Sequence, residues 1–257
     1  MIKKLLTCSL VVVMSCGPKS ESHKVEAAYD PYEHIENDQV RTILRKAIDK
    51  AGGYEKWSSL KTIEYTKHNM LFLEDGTTEV DNIQRHEYTM RPEFKVRITW
   101  EKENVNHLIT YGPEGGKRYR HDSLTTQDPT ETVMSAIYVL GMPFKLLDAG
   151  TRLEHRGQVR LESGEIADEI KATYDPGENE NHSTQDEWYY YFGADGTFFG
   201  AMVYHAPTYA YIRNLEFDTS TPIQFHKHRK SYRSDSSRNI QFLRAEFWYA
   251  DYQVTYE

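Results

Sequence analysis

Hydrophobic positions along this chain repeat with two spacings, and the change between them separates a helical opening from a long run of strands. Val40, Ile43, Leu44, Ala47, Ile48 and Ala51 fall at intervals of three and four, with charged residues between them. That spacing predicts a helix with one apolar stripe. Asn37 or Asp38 can cap its start, and Gly52-Gly53 supplies a left-handed exit. Trp57 and Leu60 are expected to pin its end. From Lys61 the spacing falls to two. Phe94, Val96, Ile98 and Trp100 alternate with Lys95, Arg97, Thr99 and Glu101, as a half-buried strand does. Glu187–Phe192, Thr197–His205, Thr208–Phe217, Thr221–Tyr232 and Ile240–Tyr256 read as further strands. Glu74-Asp75-Gly76, Gly112 to Gly116 and Gly193 to Gly196 read as turns. Such short connections imply antiparallel neighbours, because parallel ones need long crossovers. The expected fold is mainly β with a few helices (α+β), a curved antiparallel sheet of about nine to eleven strands.

One segment breaks the alternation. Asp128-Pro129-Thr130-Glu131 carries a cap, a proline suited to a first turn and a capping-box acid. Val133, Met134, Ala136, Ile137, Tyr138, Val139 and Leu140 follow, and Gly141 ends the run. A helix so apolar on every side is expected to be buried. Between strands of a curled sheet it would be a plug in the mouth, or simply a core helix. Met142 and Phe144 extend its apolar surface.

The N-terminus speaks to compartment rather than fold. Lys3 and Lys4 precede a short apolar run, Leu5 to Met14, too short to cross a bilayer permanently. Val13-Met14-Ser15-Cys16 looks like a bacterial lipobox, in which the cysteine thiol receives a diacylglycerol. Residues 1–15 therefore read as a signal peptide, Cys16 as a lipid attachment point, and 16–37 as a polar tether to a single domain over 38–257. Cys8 would leave with the leader, so no thiolate site or disulfide is expected in the mature chain. The implied location is the envelope of a Gram-negative bacterium, anchored by lipid at the outer membrane.

Charge and motifs narrow the function by exclusion. Lys and Arg number 31 against 39 Asp and Glu, a net charge of −8, without a basic cluster of the kind nucleic acid requires. No Gly-x-Ser-x-Gly, His-Glu-x-x-His or phosphate-cradling glycine loop occurs. His226 and His228 stand two apart on a strand, hence on one expected face, and His205 or a carboxylate could complete a metal site. Hydrogen-bonded or solvated strand histidines are the simpler reading. As exposed residues, their replacement is expected to move stability by about 0.5 kcal/mol or less. The acid-rich loop Asp175 to Asn181 reads as a solvated turn rather than a calcium loop. Neither metal nor cofactor is expected. Nineteen tyrosines, many late in the chain, suit either aromatic sheet faces or the walls of an amphiphile or sugar site.

The order of motifs resembles a known group. Ala51-Gly52-Gly53, Trp57-Ser58-Ser59-Leu60, Gly141-Met142-Pro143-Phe144, Trp188 to Phe192 and Thr221-Pro222-Ile223 occur in sequence before an aromatic final strand. Together they resemble an uncharacterised family of envelope lipoproteins, a domain of unknown function similar in fold to the lipoprotein carriers of the Lol system. The resemblance implies an open half-barrel whose helices plug an apolar concavity, and it carries no activity. The expected ligand is a lipid, an acyl chain or another envelope lipoprotein. Trp100, Met134, Ile137, Tyr138, Leu140, Met142, Phe144, Trp188 and Tyr190 are the candidate lining residues. An envelope hydrolase using histidines or carboxylates in the same concavity, and a structural lipoprotein without a ligand, are the alternatives. Replacing Cys16 with Ser should abolish lipid attachment and move the protein out of the membrane fraction. A Cys16→Ser chain that still carries lipid would refute the lipobox reading.

Overall fold

The computed structural model of the protein describes residues 29–175 and 186–257. The leader, Cys16, most of the tether and the acid-rich loop beyond Asp175 lie outside them. The chain divides into Met1–Asp30 and Pro31–Glu257, and the second unit carries all the helices and strands of the described residues.

Helix α1 spans Asp38–Lys50. Asn37 caps it, its side-chain oxygen accepting from the backbone N–H groups of Gln39 and Val40 at 2.9 and 3.1 Å. Its apolar stripe, Val40, Leu44 and Ile48, is fully buried. Gly52 (φ +117°) turns the chain out of the helix where a Cβ would run into the Pro222 carbonyl. The neighbouring Ala51 carbonyl accepts from the Gln224 N–H at 2.8 Å. A short helix α2, Tyr54–Ser58, then stacks Trp57 on Phe144 at 5.0 Å. The packed unit begins before α1, since Tyr32 and Ile35 are buried and the Arg45 guanidinium lies 4.2 Å over the Tyr32 ring. Residues 31–37, read from the sequence as part of a tether, thus belong to this unit.

Strands β1 (Leu60–Phe72), β2 (Thr78–Thr89), β3 (Lys95–Lys102), β4 (Val105–Gly112), β5 (Gly115–Arg120) and β6 (Ser123–Leu124) form one meander. Helix α3 (Thr130–Leu140) and a 3-10 turn (Phe144–Leu147) follow. A second meander comprises β7 (Thr151–Arg160), β8 (Ile166–Tyr174), β9 (Glu187–Phe192), β10 (Phe198–His205), β11 (Thr208–Asp218), β12 (Phe225–Ser234) and β13 (Ile240–Tyr256). The strands make one curved antiparallel sheet in the order β6-β5-β4-β3-β2-β1-β13-β12-β11-β10-β9-β8-β7. The two meanders meet where β1 pairs with β13, while the edges β6 and β7 are successive in sequence. The segment containing α3 must therefore lead from one edge of the open sheet to the other.

The fold class agrees with the expectation, and the strand count exceeds it. The extra strands are those whose alternation is blurred, such as two-residue β6 and β7 with a bulge between His155 and Gly157. Thr221 to Gln224 is a bend rather than strand, because Ile223 is buried at the exit of α1. Both long helices share one core with the inner face of the sheet. A smaller cluster, including Leu161, Tyr191, Met202 and Tyr211, packs on the outer face. Among the described residues no helix is long and apolar enough to cross a membrane.

Leu44→Ala should lower unfolding free energy by about 2–5 kcal/mol, because it opens a cavity under α1. Ile83→Thr, on an exposed outer position, should stay within about 0.5 kcal/mol. Urea unfolding of both variants checks the contrast, and equal effects would mean that α1 is not part of the core.

Candidate ligand cavity

Helix α3 presents three different faces. Asp128 orders its start, one carboxylate oxygen accepting from the Thr130 N–H at 2.9 Å and its hydroxyl at 2.7 Å. Gly141 ends it where a Cβ would approach the Trp57 ring to 2.9 Å. One face, with Val133, Ile137 and Leu140, is buried in the core. On another, the Tyr138 hydroxyl meets those of Tyr174 on β8 and Tyr190 on β9. The third face is small and polar, with Thr132, Ser135, Ala136 and Val139 turned to a cavity. Thr132 and Ser135 are exposed, so the helix is not buried all round as its composition suggested. Two hydroxyl residues within an otherwise apolar run mark its open side.

The cavity holds about 700 Å³, within the usual range of small-molecule sites, roughly 300–1,000 Å³. Period-two alternation builds its wall. Tyr65, Lys67, Asn69 and Leu71 of β1 stand beside Asn82, Gln84 and His86 of β2. Ile98 and Trp100 of β3, Ile109 of β4, Arg229 of β12, and Phe247 and Tyr249 of β13 continue it. The intervening residues point outward, and there the carboxylates are paired. Glu64 accepts from Arg85 at 2.5 Å, Glu87 from Arg97 at 2.9 Å, and Asp81 lies 2.7 Å from His68. Among the described residues no Asp or Glu lines the cavity. A second cavity of about 510 Å³ adjoins Met134 and Ile137, with Phe94, Tyr111 and Lys145.

Two buried histidines belong to this interior, and a third, His107, lines the cavity. His86 is buried against Tyr65, their rings stacked at 4.7 Å. Its Nδ1 lies 3.2 Å from the hydroxyls of both Tyr65 and Tyr88, and its Nε2 lies 3.0 Å from Gln84 Oε1. Burial, reinforced by Lys67, pushes its pKa well below the ordinary value. His226 Nε2 donates to the Val139 carbonyl at 3.2 Å, fastening β12 to the last turn of α3. Burial and the Arg229 guanidinium push its pKa well down, the Val139 bond opposing them.

His226 and His228 do not share a face, which corrects the sequence expectation. Register shifts in the β11–β12 pairing between Asn214 and Phe217 break the alternation along β12. His226 turns inward to Phe217 and Tyr249, while His228 stacks on outward Trp248 at 3.5 Å and meets Glu246 at 2.7 Å. Both are buried, so the expected indifference to their substitution, which assumed exposure, falls too. His205 is elsewhere, paired with Asp186 at 2.7 Å. Among the described residues no three His, Cys, Asp or Glu gather as a metal site would need.

The candidate lining residues separate. Trp100 lines the large cavity, stacked on His107 at 4.7 Å. Met134 and Ile137 line the second. Tyr138, Met142, Trp188 and Tyr190 surround only a crevice of about 10 Å³, and Leu140 and Phe144 are packed in the core. Sequence reasoning missed Lys67, His86 and Arg229, whereas Phe247 and Tyr249 belong to the late aromatic cluster read as possible walls. The alternation of Tyr65, Lys67, Asn69 and Leu71 on one face was the available signal for the first wall.

Solved structures of other proteins align with most of this chain. A DUF1329 family protein from Desulfovibrio piger aligns with a TM-score of 0.54 at 8% identity, over 86% of this chain and 94% of that one. A putative outer membrane lipoprotein-sorting protein domain from Vibrio parahaemolyticus aligns with a TM-score of 0.51 at 8% identity, over 83% and 91%. The chain shares their fold. The resemblance read from its motifs, to a domain-of-unknown-function lipoprotein akin to the Lol carriers, therefore holds for the architecture. LprF from Mycobacterium bovis aligns over 86% of this chain and 97% of that one at 11% identity and a TM-score of 0.31. No family model matches the sequence, and no curated protein matches it. Two buried histidines, His86 in the cavity wall and His226 at the last turn of α3, make this interior sensitive to protonation.

That sensitivity has a definite sign. His86 and His226 have folded pKa values below those of the unfolded chain, so the unfolded state binds protons first on acidification. Their stability contribution is complete above about pH 6.5 and is lost progressively below it, at up to about 1.4 kcal/mol per pH unit for each histidine. Urea midpoints at pH 7.5 and 5.5 should show this loss, and His226→Gln should reduce it. Equal losses in both proteins would exclude His226 as a contributor.

Proposed function

We propose that this protein is a non-enzymatic envelope lipoprotein that binds an amphiphile, through an acyl chain, in the cavity between α3 and the sheet. The observation that carries the reading is a cavity of about 700 Å³ beside a helix whose start is ordered by Asp128 and whose last turn is fastened to β12 by His226. A structural lipoprotein has no need of such space, since protein interiors otherwise pack to crystal-like density. The fold it shares with a lipoprotein-sorting domain supports a carrier or receptor role in the envelope. Anchorage through Cys16 at the outer membrane is part of this proposal. A cleft gathering His226, His228 and acids would have favoured the hydrolase alternative. His228 lies on the outer face and the described lining holds no acid, so the amphiphile reading is preferred.

Ala136 offers a direct test, because it lines the cavity without filling it. Ala136→Trp should weaken binding of a fluorescent fatty-acid probe by about tenfold or more, equivalent to about 1.4 kcal/mol. Met134→Trp, at the second cavity, should leave that affinity within about threefold. The opposite pattern would move the ligand to the second cavity. No binding of any acyl probe by the wild-type chain would refute the proposal.

A further inference from the structure

The charges around the large cavity are sorted more strictly than folding requires. The chain is acidic overall. Yet the described lining includes Lys67, Lys102, Arg118 and Arg229, with neither Asp nor Glu. Lys67 Nζ lies 4.5 Å from the ring centre of Phe247 and 5.9 Å from that of Tyr249. Arg229 is buried nearby, donating to the Asn214 side-chain oxygen at 3.1 Å and the Tyr249 hydroxyl at 3.3 Å. Tyr249 thus stands against both cations. Among the described residues neither has a carboxylate partner.

Two like charges in a partly desolvated space repel, and each loses hydration. Aromatic faces offset a part of that cost. Burial pulls the Lys67 ammonium below its ordinary pKa, with Tyr249 opposing the shift and Arg229 adding to it. These are the marks of a polar recess prepared for a group of opposite charge. The hydrocarbon part of the cavity is supplied by Ile98, Ile109 and Val139, with Trp100 beside them. Lys102 and Arg118, the latter 5.4 Å from the Trp100 ring centre, extend the positive field along the wall.

We propose that the ligand is an anionic amphiphile whose oxygen head, a carboxylate or a phosphate, is held between Lys67 and Arg229 while its chain lies against the apolar wall. This rests on the reading of the cavity as an amphiphile site and adds the sign of the head. A neutral head would leave the cations uncompensated, and a cationic head would be repelled.

The test uses the full chain carrying Cys16→Ser and displacement of a fluorescent acyl probe. Dodecanoate and dodecyl phosphate should displace it at least about tenfold better than dodecanol, with dodecyltrimethylammonium weakest. Acetate and inorganic phosphate, which lack the chain, should be weaker by about a hundredfold or more. Lys67→Met should bring dodecanoate and dodecanol to within about threefold, and Lys67→Arg should keep their separation. Thermal unfolding of Lys67→Met should match or exceed wild type, because an uncompensated charge is removed. Equal displacement by dodecanol and dodecanoate in the wild type would overturn the head-group assignment and leave the amphiphile site standing. Displacement by inorganic phosphate as good as by dodecyl phosphate would overturn the amphiphile in favour of a free oxyanion. Failure of every chain-bearing ligand would overturn both proposals. The wild-type series decides among these even if a variant fails to fold.

Discussion

The pairing of β1 with β13 is the joint on which the structure depends. Each meander is assembled from neighbours in sequence, but the two become one sheet only where the first and last strands meet. The seam extends from Leu60 opposite Tyr256 to Leu71 opposite Ala245, with the hydroxyls of Thr62 and Thr255 2.6 Å apart. It brings Lys67 opposite Tyr249 and Asn69 opposite Phe247. The most polar part of the cavity is thus assembled from the two ends of the domain, and neither meander holds it alone. Antiparallel register sets those pairs, and a slip by one residue would turn the whole row to the outer face.

Helix α3 depends on that seam in turn. It belongs to the connection between the sheet edges, and its contacts are mostly with the second meander. The Tyr138 hydroxyl cluster reaches β8 and β9, and the His226 bond reaches β12. Packing is close on this side, while the side toward β1–β5 keeps open space. Burial raises the tyrosine hydroxyls, Tyr174 to about 12, so the cluster stays neutral across the physiological range. The helix is held by neutral hydrogen bonds and faces a cavity whose ionised groups are cations. This segregation leaves the positive field of the wall uncancelled.

Periodicity made most of the fold legible. The apolar stripe and N-cap of α1, the end of α3 at Gly141 and the two spans Glu187–Phe192 and Ile240–Tyr256 follow from spacing and end residues alone. Local rules suffice where one residue type does one job. They fail where partners come from distant strands. Whether Lys67 faces a carboxylate or an aromatic ring is decided by β13, far along the chain, so the cavity's charge was not readable. The same limit applies to His226 and His228. Their spacing implied one face, and a shift of pairing with β11 placed them on two. Apolar content also misled at α3, where size and hydrophobicity drew attention to Tyr138, Leu140 and Phe144. Those side chains fill the core, and the smaller Ala136 and Ser135 line the space.

An unclosed sheet has two free edges, and this one has blunted both. β6 is only two residues long, which gives an incoming strand little backbone to pair with. β7 is interrupted at Gly157 (φ +96°) and bears exposed Arg152, Glu154, Arg156 and Arg160 on one side. A bulge and a row of charges are poor templates for further pairing. Neighbouring molecules are thereby discouraged from zipping together edge to edge, even at high local concentration. The half-barrel can stay open toward a small guest while remaining closed to copies of itself.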